Sequence, residues 1–125
     1  MKHKLAFFTS TRSDMTILEP LLNEIKKNKK FEYLLFVHGT HLEKNYGNTI
    51  RDIKKLNFKI SSKFLSVNKL DDEFGLVKSL EMTQKGVNNI FNKFKFDSVI
   101  ILGDRIERLP IISAALAYRK FIFHI

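Results

Sequence analysis

The sequence predicts an α/β domain: an open parallel sheet with strand order 3-2-1-4-5 and helices on both faces. Three observations lead there. Apolar runs of strand length alternate along the chain with segments whose apolar residues recur at the helical period of 3.6. One run, FDSVIILG at 96–103, is apolar almost throughout, as expected of a strand covered on both faces. Strands alternating with helices imply parallel crossovers rather than hairpins.

KLAFFTS (4–10) is the first strand. Asp14 is expected to cap the next helix, whose stripe is Ile17, Leu18, Leu21, Leu22 and Ile25. Pro20 suits a helix interior poorly, so the regular helix is expected to begin near Glu19 after an irregular first turn. FEYLLFVHG (31–39) is the second strand, closed by Gly39, and THLEKNYGNT leads to a short helix through Ile50, Ile53, Lys54 and Leu56. NFKISSKFLSV (57–67) predicts a third, partly exposed strand. The segment 70–94 predicts a long helix capped by Asp71 or Asp72, with a stripe from Leu76 and Val77 to Phe91 and Phe94. After the fourth strand an Ala-rich helix runs from about Glu107 to Tyr118, and KFIFHI (120–125) is the fifth strand. With this spacing the order is the half-Rossmann, or Rossmann-like, arrangement.

At 125 residues, with 44% apolar residues and twelve Phe, the chain makes one domain with a sizeable core. No apolar stretch approaches the ~20 residues that span a membrane. The basic start MKHK precedes an apolar run too short for a signal peptide, so a cytoplasmic protein without a membrane partner is expected. The absence of Cys excludes disulfides and thiolate metal sites. The net charge of +9 invites a nucleic-acid reading. However, 17 of the 22 basic residues are Lys spread over predicted helices, and the dense cluster KKNKK (26–30) reads as a helix C-terminus. Neither a base-stacking strand motif nor a helix-turn-helix is evident, so no nucleic-acid partner is expected.

In such sheets ligands bind outside the carboxyl ends of the strands, where the strand order reverses. Two polar clusters should meet there: TSTRSD (9–14) after the first strand and GDRIE (103–107) after the fourth. Hydroxyls, a helix N-terminus and Arg12 could bind a diphosphate. TSTRSD could equally be a capped helix start with Arg12 in solvent. In GDRIE, burial and the neighbouring Arg105 would act on Asp104 in opposite senses, as in carboxylates tuned for proton transfer. The alternative is a capping box, with Asp104 as cap and Glu107 three residues on. His3 is expected in solvent and His124 in the core. His38 and His41 flank a Gly turn but lack a further ligand nearby, so neither a metal nor a cofactor is expected.

These residues resemble the N-terminal part of the UDP-N-acetylglucosamine 2-epimerases, in particular the hydrolysing type, from residue 4 to residue 125. The resemblance rests on FFTSTRSDMTILEPLL, on GTHLEKNYGNTIRDIKKLNFKI, on KSLEMTQKG in the long helix and on VIILGDRIERLPIISAALAYRKFIFHI. Arg12-Ser13-Asp14 and Gly103-Asp104-Arg105 match the hydrolysing pattern rather than the R-P-E and G-D-T of non-hydrolysing relatives. The resemblance implies the N-terminal half of a two-domain, glycosyltransferase-B-like fold with its active site between the domains. It also implies anti-elimination of UDP from UDP-N-acetylglucosamine followed by hydration at C2, giving N-acetylmannosamine for sialic-acid-type sugars. Asp104 would be the acid/base carboxylate. Arg12 and Arg105 would contact the nucleotide or diphosphate, facing each other across the cleft, while Thr16 and His41 would line the pocket. Asp14, Glu107 and Arg108 would serve the helix starts or support the site. Ser10 replaces a glycine often found there, and the family continues with a His-Gly-Gly-Glu-like segment after the fifth strand. Residues 1–125 are therefore expected to be a Rossmann-like domain truncated in its fifth strand, without the C-terminal nucleotide-binding domain and inactive alone. A homo-oligomer binding a UDP-sugar is expected. Two other classes stay open: half of a nucleotide-sugar glycosyltransferase, and a non-catalytic basic α/β binding module.

Overall fold

The computed structural model describes residues 1–47 and 49–125; Asn48, in the YGNT stretch of the resemblance, lies outside the described residues. In chain order the elements are β1 (His3–Thr9), α1 (Arg12–Lys27), β2 (Phe31–Val37), α2 (Ile50–Lys55), β3 (Ser62–Lys63), α3 (Glu73–Lys93), β4 (Ser98–Ile101), α4 (Leu109–Ala117) and β5 (Phe121–His124). Short 3-10 turns occupy Gly39–Leu42, Lys44–Tyr46 and Ile106–Arg108. The five strands are parallel in the order β3-β2-β1-β4-β5, as the sequence predicts.

Alternation along β1 divides the core. Leu5 and Phe7 join Met15, Leu18 and Leu22 of α1 and Ile50 and Ile53 of α2 on one face. Ala6 and Phe8 join Val87, Ile90 and Phe91 of α3 and Ile111, Ala114 and Ala115 of α4 on the other. Each large side chain buried this way contributes about 1.5–3 kcal/mol of transfer free energy. All four residues of β4 are buried, because the strand lies between β1 and β5 with helices on both sides.

Five local expectations need correction. Thr11, not Asp14, is the N-cap of α1: its hydroxyl accepts the Asp14 N–H at 3.1 Å, and Asp14 accepts the Thr11 N–H at 3.2 Å, closing a capping box. The helix is regular from Arg12 onward and carries Pro20 in its interior. Thr16 and Pro20 are both exposed, so water can serve the carbonyl that the proline leaves without a donor. The expected third strand shrinks to Ser62–Lys63, because Phe58 turns into the core beneath α1 while Ser61 and Phe64 make only isolated bonds to β2. His124 is exposed, since β5 is an edge strand; its Nε2 shares a 2.7 Å hydrogen bond with the Gly103 carbonyl. His3, expected in solvent, is half-buried against the Ser98 hydroxyl at 2.7 Å.

Candidate functional site

The turns after β1, β2 and β4 meet at the carboxyl edge of the sheet. The β1 and β2 turns touch through backbone: the Ser10 carbonyl accepts both the N–H of Thr40, at 2.8 Å, and its hydroxyl, at 3.1 Å. Gly39 permits this approach. Its φ is +65°, and a Cβ there would lie 2.6 Å from the Ser10 carbonyl oxygen.

The β1 and β4 turns are joined by a buried ion pair. Arg108 Nη2 donates to Asp14 Oδ1 at 2.8 Å, Nη1 to the Ser10 hydroxyl at 3.2 Å and Nε to the Leu102 carbonyl at 2.7 Å. Asp14 Oδ2 accepts the Ser10 N–H and hydroxyl at 2.9 and 2.7 Å. Burial acts to raise the Asp14 carboxyl. The Ser10 bonds, the Arg108 guanidinium and the Thr11 N–H outweigh it, holding the carboxyl below its ordinary value. The turns that carry TSTRSD and GDRIE therefore converge as expected, but are joined by Asp14 and by Arg108, one residue beyond GDRIE. Arg12 does not face Arg105; it lies 3.7 Å from Asp52 on α2 in an exposed pair.

Arg12, Thr16 and His41 share one groove with Thr49 and Asp52. His41 is fully buried and spans two hydroxyls, with Nε2 at 2.8 Å from Thr9 Oγ1 and Nδ1 at 2.7 Å from Thr49 Oγ1. Burial lowers its pKa, with Asp14, the Thr11 backbone and Asp52 opposing. Both ring nitrogens are thus held by protein, which orients the ring at the groove floor.

A second, larger cavity of about 290 Å³ opens between the β1, β2 and β4 turns. Ser10, Thr11, His38, Ser66, Arg105 and Glu107 are among its walls. Arg105 pairs with Glu107 at 3.1 Å. The capping-box alternative for Asp104 does not form: the N-cap of the 3-10 turn is Arg105, and no side chain caps it. Asp104 itself is exposed beside Gly103, whose φ of +73° turns the chain out of the sheet. It lines neither of these two pockets. Among the described residues no group of three or more His, Asp or Glu is placed to hold a metal, and no helix is long and apolar enough to cross a membrane.

The UDP-N-acetylglucosamine 2-epimerase family model matches residues 23–125. This chain belongs to that family. It is 32% identical over 124 residues to the GDP/UDP-N,N'-diacetylbacillosamine 2-epimerase (hydrolyzing) of Campylobacter jejuni, covering 99% of this chain and 32% of the relative. It is 28% identical to the polysialic acid biosynthesis protein P7 of Escherichia coli, over 98% of this chain and 31% of that protein. The crystal structure of UDP-GlcNAc 2-epimerase from Neisseria meningitidis bound to UDP-GlcNAc superposes on the whole chain with a TM-score of 0.73. At 18% identity, over 32% of that structure, the match shows a shared fold. The chain thus spans about a third of the length of the relatives it matches.

Within this epimerase fold, sequence reasoning assigned Arg108 to a helix start and gave His38 no role. Arg108 carries no local signal, since a buried arginine and an exposed one read alike until the strand order sets Asp14 beside it. For His38 the available signal was its place at the end of an apolar strand, directly before Gly39.

Proposed function

We propose that this chain forms one wall of the cleft of a hydrolysing UDP-N-acetylhexosamine 2-epimerase acting in sialic-acid-type sugar biosynthesis. The observation that carries the reading is the meeting of the β1 and β4 turns at the switch point, in a chain of the epimerase family. In the proposed reaction the C2–H bond and the C1–O bond to UDP break, a C1=C2 glycal forms and UDP leaves. Water then adds its hydroxyl at C1 and a proton at C2 from the opposite face, releasing N-acetylmannosamine. Asp104, exposed at the open side of the sheet, is the proposed acid/base group. Arg12 and Arg105 bind the nucleotide or diphosphate, while Thr16 and His41 line the pocket. Asp14 and Glu107 support it.

In this reading a His-Gly-Gly-Glu-like segment after the fifth strand carries a second carboxylate, and a further domain holds most of the uridine and diphosphate contacts. The chain alone is then inactive. The reading includes a cytoplasmic homo-oligomer.

UDP release from UDP-N-acetylglucosamine tests it. The 125 residues alone should release none. Placed in exchange for the corresponding third of the Neisseria meningitidis UDP-GlcNAc 2-epimerase, they should support release, and Asp104→Asn should reduce it by orders of magnitude with the fold intact. Robust turnover by the isolated chain, or a mild effect of Asp104→Asn, would refute the assignment.

A further inference from the structure

Among the described residues, two buried side-chain polar atoms have no hydrogen-bond partner: His38 Nε2 and Glu107 Oε2. The two residues come from different turns yet line the same cavity of about 290 Å³. Leaving such an atom without a partner costs about 1–3 kcal/mol, so two in one cavity point to a ligand that supplies what both lack.

The character of the His38 atom follows from its neighbours. Ser66 Oγ accepts the Gly39 N–H at 2.8 Å and lies 2.9 Å from His38 Nδ1. When the Ser66 hydroxyl donates to Nδ1, that nitrogen carries the lone pair and Nε2 the hydrogen, the tautomer that makes Nε2 a donor. The ring is fixed by stacking on Phe64, with centroids 4.7 Å apart and planes at 10°. Glu107 presents the opposite function: Oε1 takes the Arg105 Nη2 hydrogen bond at 3.1 Å, and Oε2 remains as an acceptor. The cavity thus holds one free donor and one free acceptor, the pattern that matches a secondary amide. Burial, with the Arg108 guanidinium adding to it, pushes the His38 pKa down to about 3. At neutral pH the donor is uncharged, which suits a carbonyl oxygen and not a phosphate.

We infer that His38 and Glu107 read the acetamido group of an N-acylated hexose, His38 Nε2–H donating to its carbonyl and Glu107 Oε2 accepting its N–H. This rests on reading the cleft as a UDP-hexose site, and it names the residues that prefer a 2-acetamido sugar over a 2-hydroxy one. A hydroxyl offers its donor and acceptor on one oxygen, whereas the amide spreads them over two atoms aimed in opposite directions, toward the two turns that carry His38 and Glu107.

Long-range ¹H–¹⁵N correlation spectra of the chain test this without any turnover. The free protein should show His38 as the Nε2–H tautomer. N-acetylglucosamine should shift the His38 Nε2 resonance in a saturable way, and glucose at the same concentration should leave it in place. In Glu107→Gln, pairing of the amide oxygen with Arg105 turns an NH2 toward the ligand. N-acetylglucosamine affinity should then fall about tenfold. An Nδ1–H tautomer, equal responses to the two sugars, or no response to N-acetylglucosamine would each overturn the inference. Failed UDP release with a selective acetamido response would count against the reaction alone.

Discussion

Two pairs of opposite charges sit at the carboxyl edge of this sheet, and they differ in almost everything except residue type. Asp14 and Arg108 are nearly solvent-free, 2.8 Å apart, and join the β1 turn to the β4 turn. Arg12 and Asp52, 3.7 Å apart, are largely exposed. Arg12 and Asp14 are separated by a single residue, as are two sites of one helix turn facing different ways. The difference teaches that one short polar segment supplies both a buried scaffold and solvent-facing groups. The buried pair joins the turns, and the exposed arginine stands at the groove it shares with Thr16 and His41.

The contrast can be broken first with Arg108→Leu. Leaving Asp14 buried without its partner should cost about 3–5 kcal/mol in urea unfolding. A loss no greater than that of Arg12→Ala would end the distinction between scaffold and rim.

Acid is the next lever. His38 has a folded pKa near 3, far below the ordinary 6.5, so the unfolded chain binds the extra proton. Its contribution is intact above about pH 6.5 and shrinks as pH falls toward 3, at up to about 1.4 kcal/mol per pH unit. His41, lowered in the same direction, adds to the loss below the ordinary histidine value. Asp14, held low by its partners, loses its contribution only further down, as pH falls through the carboxylate range. Urea midpoints from pH 7.5 to 4 should fall in the parent and fall less steeply in His38→Thr.

Gly39→Ala should cost about 1–3 kcal/mol, because the residue holds a left-handed φ against the Ser10 carbonyl. Arg12→Ala has the smallest expected effect on stability, under about 1 kcal/mol. It should nevertheless weaken UDP binding, which calorimetry would register in the active chimera. Preserved affinity would return Arg12 to a purely solvated role.

Much of this arrangement is legible in the sequence. The period-2 pattern of KLAFFTS separates Leu5 and Phe7 from Ala6 and Phe8, and the structure places those pairs on opposite faces. The strand order follows from helix-length crossovers, and it brings TSTRSD and GDRIE together in advance of any coordinates. What fails is finer. Thr11 and Asp14 are both good capping residues, and the choice between them depends on the Ser10 and Arg108 contacts that hold the Asp14 side chain. The extent of β3 depends on how Phe58 packs, not on the apolar pattern around it. Likewise, the role of His38 emerges only from which hydroxyl and which cavity surround it.

The central claim is that this chain supplies the proton-transfer wall of a hydrolysing epimerase. Its most direct test is the reaction of the Neisseria chimera with UDP-N-acetylglucosamine in D2O, read by NMR at C2 of the released sugar. The account predicts N-acetylmannosamine carrying deuterium at C2, with exchange lost in Asp104→Asn. A released or transferred sugar that keeps its C2 proton and its gluco configuration would contradict it.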